Sequence, residues 1–314
     1  MFKVVKDFIN YCKTFKRFSE NTIKNYKVVY KQLYNYLSEV LGEKTIDDSF
    51  LELLEEKDIE HFFAWLEENN GGLSQATINQ KLSALDSLFS FLYKREIINK
   101  IPVKDIERKT PPHREDVPLS IQEVNKLISN ANYTRNPLRN KAIVALLFAA
   151  GLRISELCKL DKVDIYEDID IESPKEIELD DVYDFDEPIH MIHIKEAKEY
   201  KDRMVFIPDE YYRCIKQYLN IRDDNKEALF LSERKNRIHP DSIRKMLNKI
   251  SDGIDKNVHP HAFRKAYATY LLNKDVPLEI IADNLGHATS EVTNKVYAKY
   301  QNNKRASSTL KAFG

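Results

Sequence analysis

Two arginines, two histidines and a tyrosine stand out in the C-terminal two-thirds of the chain, spread over four short segments. The first is Gly151-Leu-Arg153-Ile-Ser-Glu156-Leu157. An arginine at a helix start, straight after a buried helix, can be held rigidly beside a pocket, and a helix N-terminus favours a phosphate. The guanidinium fork binds two phosphate oxygens at once. Taken alone, a structural pair between Arg153 and Glu156 explains this segment more simply. The second is His259-Pro-His261-Ala-Phe-Arg264-Lys265. His261 and Arg264 are three apart and share a helix face; the first can donate to a phosphate oxygen or shuttle a proton, and the second adds another guanidinium. Alone, it reads equally well as a helix start with solvated charges. In Leu285-Gly286-His287 the glycine ends a helix and turns His287 towards whatever lies opposite. Tyr297, ten residues on in Thr293-Asn-Lys-Val-Tyr297, would by itself be ordinary core packing.

These residues need elements to position them. The chain has 314 residues, which favours about two domains. Residues 1–105 read as a small helical domain. Val4, Phe8, Tyr11, Cys12 and Phe15 recur at helical spacing, Ser19 or Asn21 caps a helix from about Thr22, a third helix covers 57–69, and a fourth begins near Ser74 after Gly71-Gly72. The first 31 residues hold eight Lys and Arg against two acids, so their outward face is basic. Residues 106–118, with Pro111-Pro112 and Pro118, form a linker.

The second domain, 119–314, opens with the capping box Ser120-Ile-Gln-Glu123. Its apolar run 142–152 is too short to cross a bilayer and reads as a buried helix capped by Gly151. A helix starts near Ile154. Strands are expected at 189–194 and 203–207, joined by a charged loop into a hairpin. Helices follow at 209–221, 240–252, 261–273 and 277–285, with a last one around 290–300. The fold class is therefore mainly α: a small helical N-terminal domain plus a mixed α/β domain, mostly helical, with a small antiparallel sheet.

Several function classes drop out. Nothing reads as a signal peptide or membrane segment, and the default location is the cytoplasm. Cys12, Cys158 and Cys214 are too scattered for a disulfide framework or a zinc site. His190 and His193 would point to opposite faces of a strand, and His259 and His261 have no nearby cysteine, so no metal is expected. The net charge of −1 conceals an uneven distribution: residues 161–188 carry −11, leaving +10 on the rest. A basic body with one acidic insert is compatible with a nucleic-acid partner.

Read together and in order, the four segments resemble the tyrosine recombinase family, the phage integrases and Xer-type recombinases. The family pattern is G-L-R-x-S-E-L, a hairpin lysine, H-x-L-R, L-G-H and a tyrosine about nine residues later. The resemblance covers nearly the whole chain. It implies that Tyr297 attacks the scissile phosphate and forms a 3′-phosphotyrosyl link, that Arg153 and Arg264 clamp the non-bridging oxygens, that His261 assists proton movement, that His287 hydrogen-bonds the phosphate and that Glu156 orients the site. Aligning Ala197-Lys198-Glu-Tyr-Lys-Asp-Arg203-Met-Val with the family's G-K-G-x-K-x-R hairpin makes Lys198 the general acid for the leaving 5′-hydroxyl, with Lys195 and Lys201 beside it. The link conserves the phosphodiester energy, so no metal, nucleotide or other cofactor is expected.

The sequence departs from the family in three places. Lys265 stands where the family often has His. The interval from His287 to Tyr297 is one residue longer than is usual in the family, which leaves Tyr300 as a competitor, although Thr293 fits the family's T-x-x-x-Y. The acidic insert lengthens the interval from Arg153 to Lys198. The expected partner is a double-stranded DNA recombination site, held as in a clamp, with four protomers on two duplexes. Candidate phosphate contacts, from charge and position, are Lys24, Lys27, Lys31, Arg237, Arg244 and Lys245. Alternative readings are a type IB topoisomerase-like relaxing enzyme and an inactive DNA-binding protein on the same fold.

Overall fold

The computed structural model describes residues 2–42, 46–111, 117–167, 188, 190–195 and 202–286. The chain divides into two compact units, Met1–Glu115 and Asp116–Gly314.

The first unit is helical: α1 (Lys3–Thr14), α2 (Glu20–Leu41), the short α3 (Phe50–Leu53), α4 (Glu56–Asn70) and α5 (Gln75–Lys94). The caps are those the sequence offers. Ser19 Oγ accepts from the Thr22 amide at 3.1 Å and Ser74 Oγ from the Thr77 amide at 3.2 Å. The apolar faces meet in a core rich in aromatic rings, including Phe8, Tyr30, Phe62 and Phe89. The one polar atom of Tyr30 is satisfied inside it, its hydroxyl donating to the Ala84 carbonyl at 2.8 Å. Lys24, Lys27 and Lys31 lie on the exposed side of α2.

The second unit begins with α6 (Ile121–Asn130), where Ser120 and Glu123 bond reciprocally as the capping box requires. Helix α7 (Pro137–Ala149) starts on a proline at its first position, and its run from Ala142 to Ala149 is buried on every side. It packs against α6, α9 (Asp209–Asn220) and α11 (Pro260–Asn273). Around this axis stand α8 (Ile154–Lys159), α10 (Pro240–Ile250) and α12 (Leu278–Leu285). The last expected helix, near 290–300, lies outside the described residues.

The sheet has three strands in the antiparallel order β1 (Ile165–Tyr166), β2 (His190–Ile194) and β3 (Arg203–Ile207). Ile192, Ile194, Val205 and Ile207 face the core. Strand β1 is an addition to the hairpin read from the sequence. It also places the first residues of the acidic stretch in the folded body. The Lys162 amide donates to the Glu227 carbonyl at 2.8 Å, and Asp164, 3% exposed, pairs with Lys195.

Candidate active site

The site is built where α7 ends, α8 begins and α12 stops. Gly151 has a left-handed backbone, φ +56°, and a Cβ there would fall 2.7 Å from the Tyr267 ring and 2.9 Å from Leu285. Only glycine lets the chain turn this close to α11 and α12. Two residues later Arg153 caps α8. Its amide donates to Glu156 Oε2 at 2.8 Å, and its Nη1 donates to Glu156 Oε1 at 2.7 Å. The structural pair read from the sequence therefore exists, and it coexists with a guanidinium whose side chain stays 39% exposed.

Glu156 is 7% exposed and serves a second arginine. Arg203, the first residue of β3, donates from Nη2 to Oε2 at 2.9 Å and from Nη1 to Oε1 at 3.3 Å. Burial opposes ionisation of this carboxyl, but the hydrogen bonds and charges of Arg203 and Arg153 prevail and hold its pKa below the usual carboxylate value.

Helix α12 ends at Gly286, φ +60°. The last carbonyls of a helix lack intrahelical donors. Here three consecutive ones are each met by a different guanidinium. Arg203 Nε donates to the Asn284 carbonyl at 2.9 Å, Arg264 Nη2 to that of Leu285, and Arg153 Nη2 to that of Gly286 at 2.9 Å. Arg264 also donates from Nη1 to the Gly151 carbonyl at 2.9 Å, which ties α7 to α12 through α11. The cations sit at the negative end of the helix, where its dipole favours them. On the neighbouring α11, Tyr267 accepts from Asn284 Nδ2 at 3.0 Å, and burial pushes its hydroxyl up to about 12.

Arg153, Glu156 and Arg264 are thus brought together, and His261 lies exposed one turn before Arg264 at the start of α11. Lys198, His287 and Tyr297 lie outside the described residues. Of the neighbouring lysines, Lys195 is engaged by Asp164. Arg203 was not singled out from the sequence. Its signal was the arginine that closes the hairpin pattern, but Glu156 and Asn284 are distant in sequence and nothing local named them as its partners.

The candidate DNA contacts separate into two kinds. Lys24, Lys27, Lys31 and Lys245 are exposed. Arg237 donates to the carbonyls of Cys158, Lys159 and Leu160 and pairs with Asp161, so it finishes α8, and Arg244 pairs with Asp241 at 2.6 Å. Beside them opens a cleft of about 550 Å³ to which Arg135, Arg139, Arg234 and Lys249 add positive charge.

The guanidiniums gathered around one helix end make a site suited to a phosphate, and comparison with known proteins gives the family. The N-terminal SAM-like domain of phage integrases matches residues 5–96, and the Phage integrase family matches residues 118–304. A tyrosine recombinase of Thermosipho africanus is 31% identical over 301 residues, covering 94% of each chain. Tyrosine recombinase XerA of Thermococcus onnurineus is 32% identical over 231 residues, 73% of this chain and 72% of that one. Among solved structures, the XerH site-specific recombinase bound to palindromic difH substrate, a post-cleavage complex, shares the fold at a TM-score of 0.67 and 20% identity, over 98% of this chain and 84% of that one. The chain belongs to the phage integrase family of tyrosine recombinases. Among the described residues, no helix is long and apolar enough to cross a membrane.

Proposed function

We propose that this chain is a site-specific tyrosine recombinase that cuts and rejoins double-stranded DNA. The observation that carries the reading is the grip of Arg153 and Arg264 on the C-terminal turn of α12, with buried Glu156 behind Arg153. Two guanidiniums fixed on rigid elements form a preorganised site for a phosphate whose charge grows in the transition state. His287 follows Gly286 directly and would bond the same phosphate, with His261 assisting from α11.

In the proposed reaction the Tyr297 hydroxyl gives up its proton, with His261 assisting the transfer, as its oxygen attacks phosphorus. The bond from phosphorus to the 5′ oxygen breaks, and the leaving 5′-hydroxyl takes its proton from Lys198. A 3′-phosphotyrosyl link holds the cut end until the 5′-hydroxyl of another strand reverses the step, without cofactor. Exchange between two duplexes engages four protomers. Residues 1–105 serve as the core-DNA-binding domain, 106–118 as the linker and 119–314 as the catalytic domain with its acidic insert. Lys24, Lys27, Lys31, Arg237, Arg244 and Lys245 are the proposed phosphate contacts. The relatives named Xer favour a Xer-like resolution or integration and excision role, on DNA in the cytoplasm.

A nicked suicide duplex tests the reading. Wild type traps a covalent protein–DNA adduct and Tyr297→Phe does not. An adduct that survives Tyr297→Phe moves the nucleophile to Tyr300. Binding without an adduct marks a non-catalytic DNA-binding protein, and relaxation of supercoiled plasmid without strand exchange marks a topoisomerase.

A further inference from the structure

We propose that Arg203 is a positioning residue for strand cleavage, fixing Glu156, and through it the Arg153 guanidinium, against the C-terminal turn of α12. The proposal rests on the recombinase reading above and adds a residue to it.

The geometry is specific. Arg203 is one planar group that meets two elements at once, with Nη1 and Nη2 on both Glu156 oxygens and Nε on the Asn284 carbonyl. Its side chain is only 10% exposed, so it is not a contact for DNA. It also lies flat against the turn, since a Cβ on Gly286 would fall 2.8 Å from its Nη1. A lysine at this place has the charge but not the fork.

Charge accounting gives the group its consequence. Within this cluster of described residues, one buried carboxylate shared by two guanidiniums leaves a net positive charge, and Arg153 is the more exposed partner. Without Arg203 the carboxylate keeps, among the described residues, Arg153 as the cation that bonds it. A buried carboxylate is costly to leave half-paired. It would draw Arg153 into a closed bidentate pair, away from the Gly286 carbonyl, and cancel the charge meant for phosphate. Arg203 thus keeps Arg153 extended and cationic.

Among the described residues, the groups facing Glu156 are Arg153 at the cap of its own helix and Arg203 from β3, with Arg264 and Tyr267 of α11 close behind the same turn. Arg203 is the leading influence that holds the Glu156 pKa down against burial. Losing it should raise that pKa and move the acid limb of cleavage to higher pH.

The test uses the full-length chain and a nicked suicide duplex carrying the site that this chain itself selects from fragmented genomic DNA. Single-turnover adduct formation at saturating protein, DNA affinity and thermal melting are measured for wild type, Arg203→Lys, Arg203→Met and Arg203→Met with Glu156→Gln. Arg203→Met should cleave on the order of 100-fold more slowly, a typical result of misplacing a reacting group, with affinity unchanged and its acid limb shifted up. Arg203→Lys should lose less and keep the wild-type pH profile. The double variant should be no slower than Arg203→Met, because both residues act along one chain of contacts. Cleavage by Arg203→Met at the wild-type rate, or a double variant in which the two losses multiply, overturns the proposal. If Arg203→Met does not fold, Arg203→Lys decides, and a wild-type rate there overturns it. Wild type that binds the duplex but traps nothing overturns the recombinase reading and this assignment with it.

Discussion

Helices α2 and α12 both stop at a left-handed glycine, Gly42 with φ +64° and Gly286 with φ +60°. Around Gly42 a Cβ would meet nothing within 4 Å, whereas at Gly286 it would strike Arg203 at 2.8 Å. One glycine is needed for the turn alone. The other is needed for the turn and for the guanidinium lying against it. The same contrast runs through the two units. The first is held by ring-on-ring packing, as where Phe8 meets Tyr30 edge-on with centroids 6.0 Å apart, and it carries the lysines of α2 on its surface. The second has an apolar core around α7, but its site is finished by arginines bonded to backbone carbonyls. Apolar packing tolerates small shifts because it is non-directional. Hydrogen bonds to fixed carbonyls do not, which suits a unit that must aim groups at one phosphate.

If this contrast is right, Arg264→Ala should have the largest effect on chemistry. It removes one of the proposed phosphate donors and the link between Gly151 and Leu285, so adduct formation should fall on the order of 1000-fold while the proposed contacts of the N-terminal unit should still support DNA binding. Adduct yield and a binding assay on the same duplex measure both halves. Phe62→Ala should do the reverse, lowering stability by about 3–5 kcal/mol from the cavity it leaves. Denaturant unfolding of the full chain reads this, and a loss below about 1 kcal/mol would show that the aromatic core is not what holds this unit.

Glu156→Gln separates charge from shape. The folded-state pKa of Glu156 lies below its unfolded value, so its ionisation stabilises the fold above the ordinary carboxylate pKa of about 4.3 and that contribution disappears as pH falls through the folded value. At neutral pH the variant should lose about 1.5–3 kcal/mol, the worth of hydrogen bonds to a charged group. Urea midpoints measured from pH 7 downwards should show the gap to wild type narrowing in acid. A gap independent of pH would mean that the carboxylate charge is not what Arg203 and Arg153 hold. The smallest effect belongs to Gly42→Ala, which should cost only about 1–2 kcal/mol for a side chain in a left-handed turn. Gly286→Ala should cost more than Gly42→Ala and should slow cleavage as well. Equal melting shifts with unchanged cleavage would erase the contrast between the two glycines.

Much of the architecture was legible because it is written in local signals. The caps at Ser19, Ser74 and Ser120, the buried run of α7 and the glycines after α4 and α12 all act within a few residues of themselves. Strand β1 escaped notice because two residues carry no periodicity, and its pairing of Ile165 with Ile192 is a long-range contact. The acidic stretch hides contacts for a similar reason: Asp161 and Asp164 bond Arg237 and Lys195, which composition alone does not show.

The sequence by itself determined the helical frame, the order of the motif residues and the chemistry their types permit, since propensity, capping and residue chemistry travel with the residues. Tertiary structure decided which partner each arginine holds. Arg153 could be read as paired with Glu156, three positions away. That Arg203 shares the same carboxylate, that Arg237 caps α8, and that Arg203, Arg264 and Arg153 take the carbonyls of residues 284, 285 and 286 in turn came only with folding. A guanidinium offers five donors on a long side chain, and its choice among them depends on which carbonyls the packed helices leave without a donor.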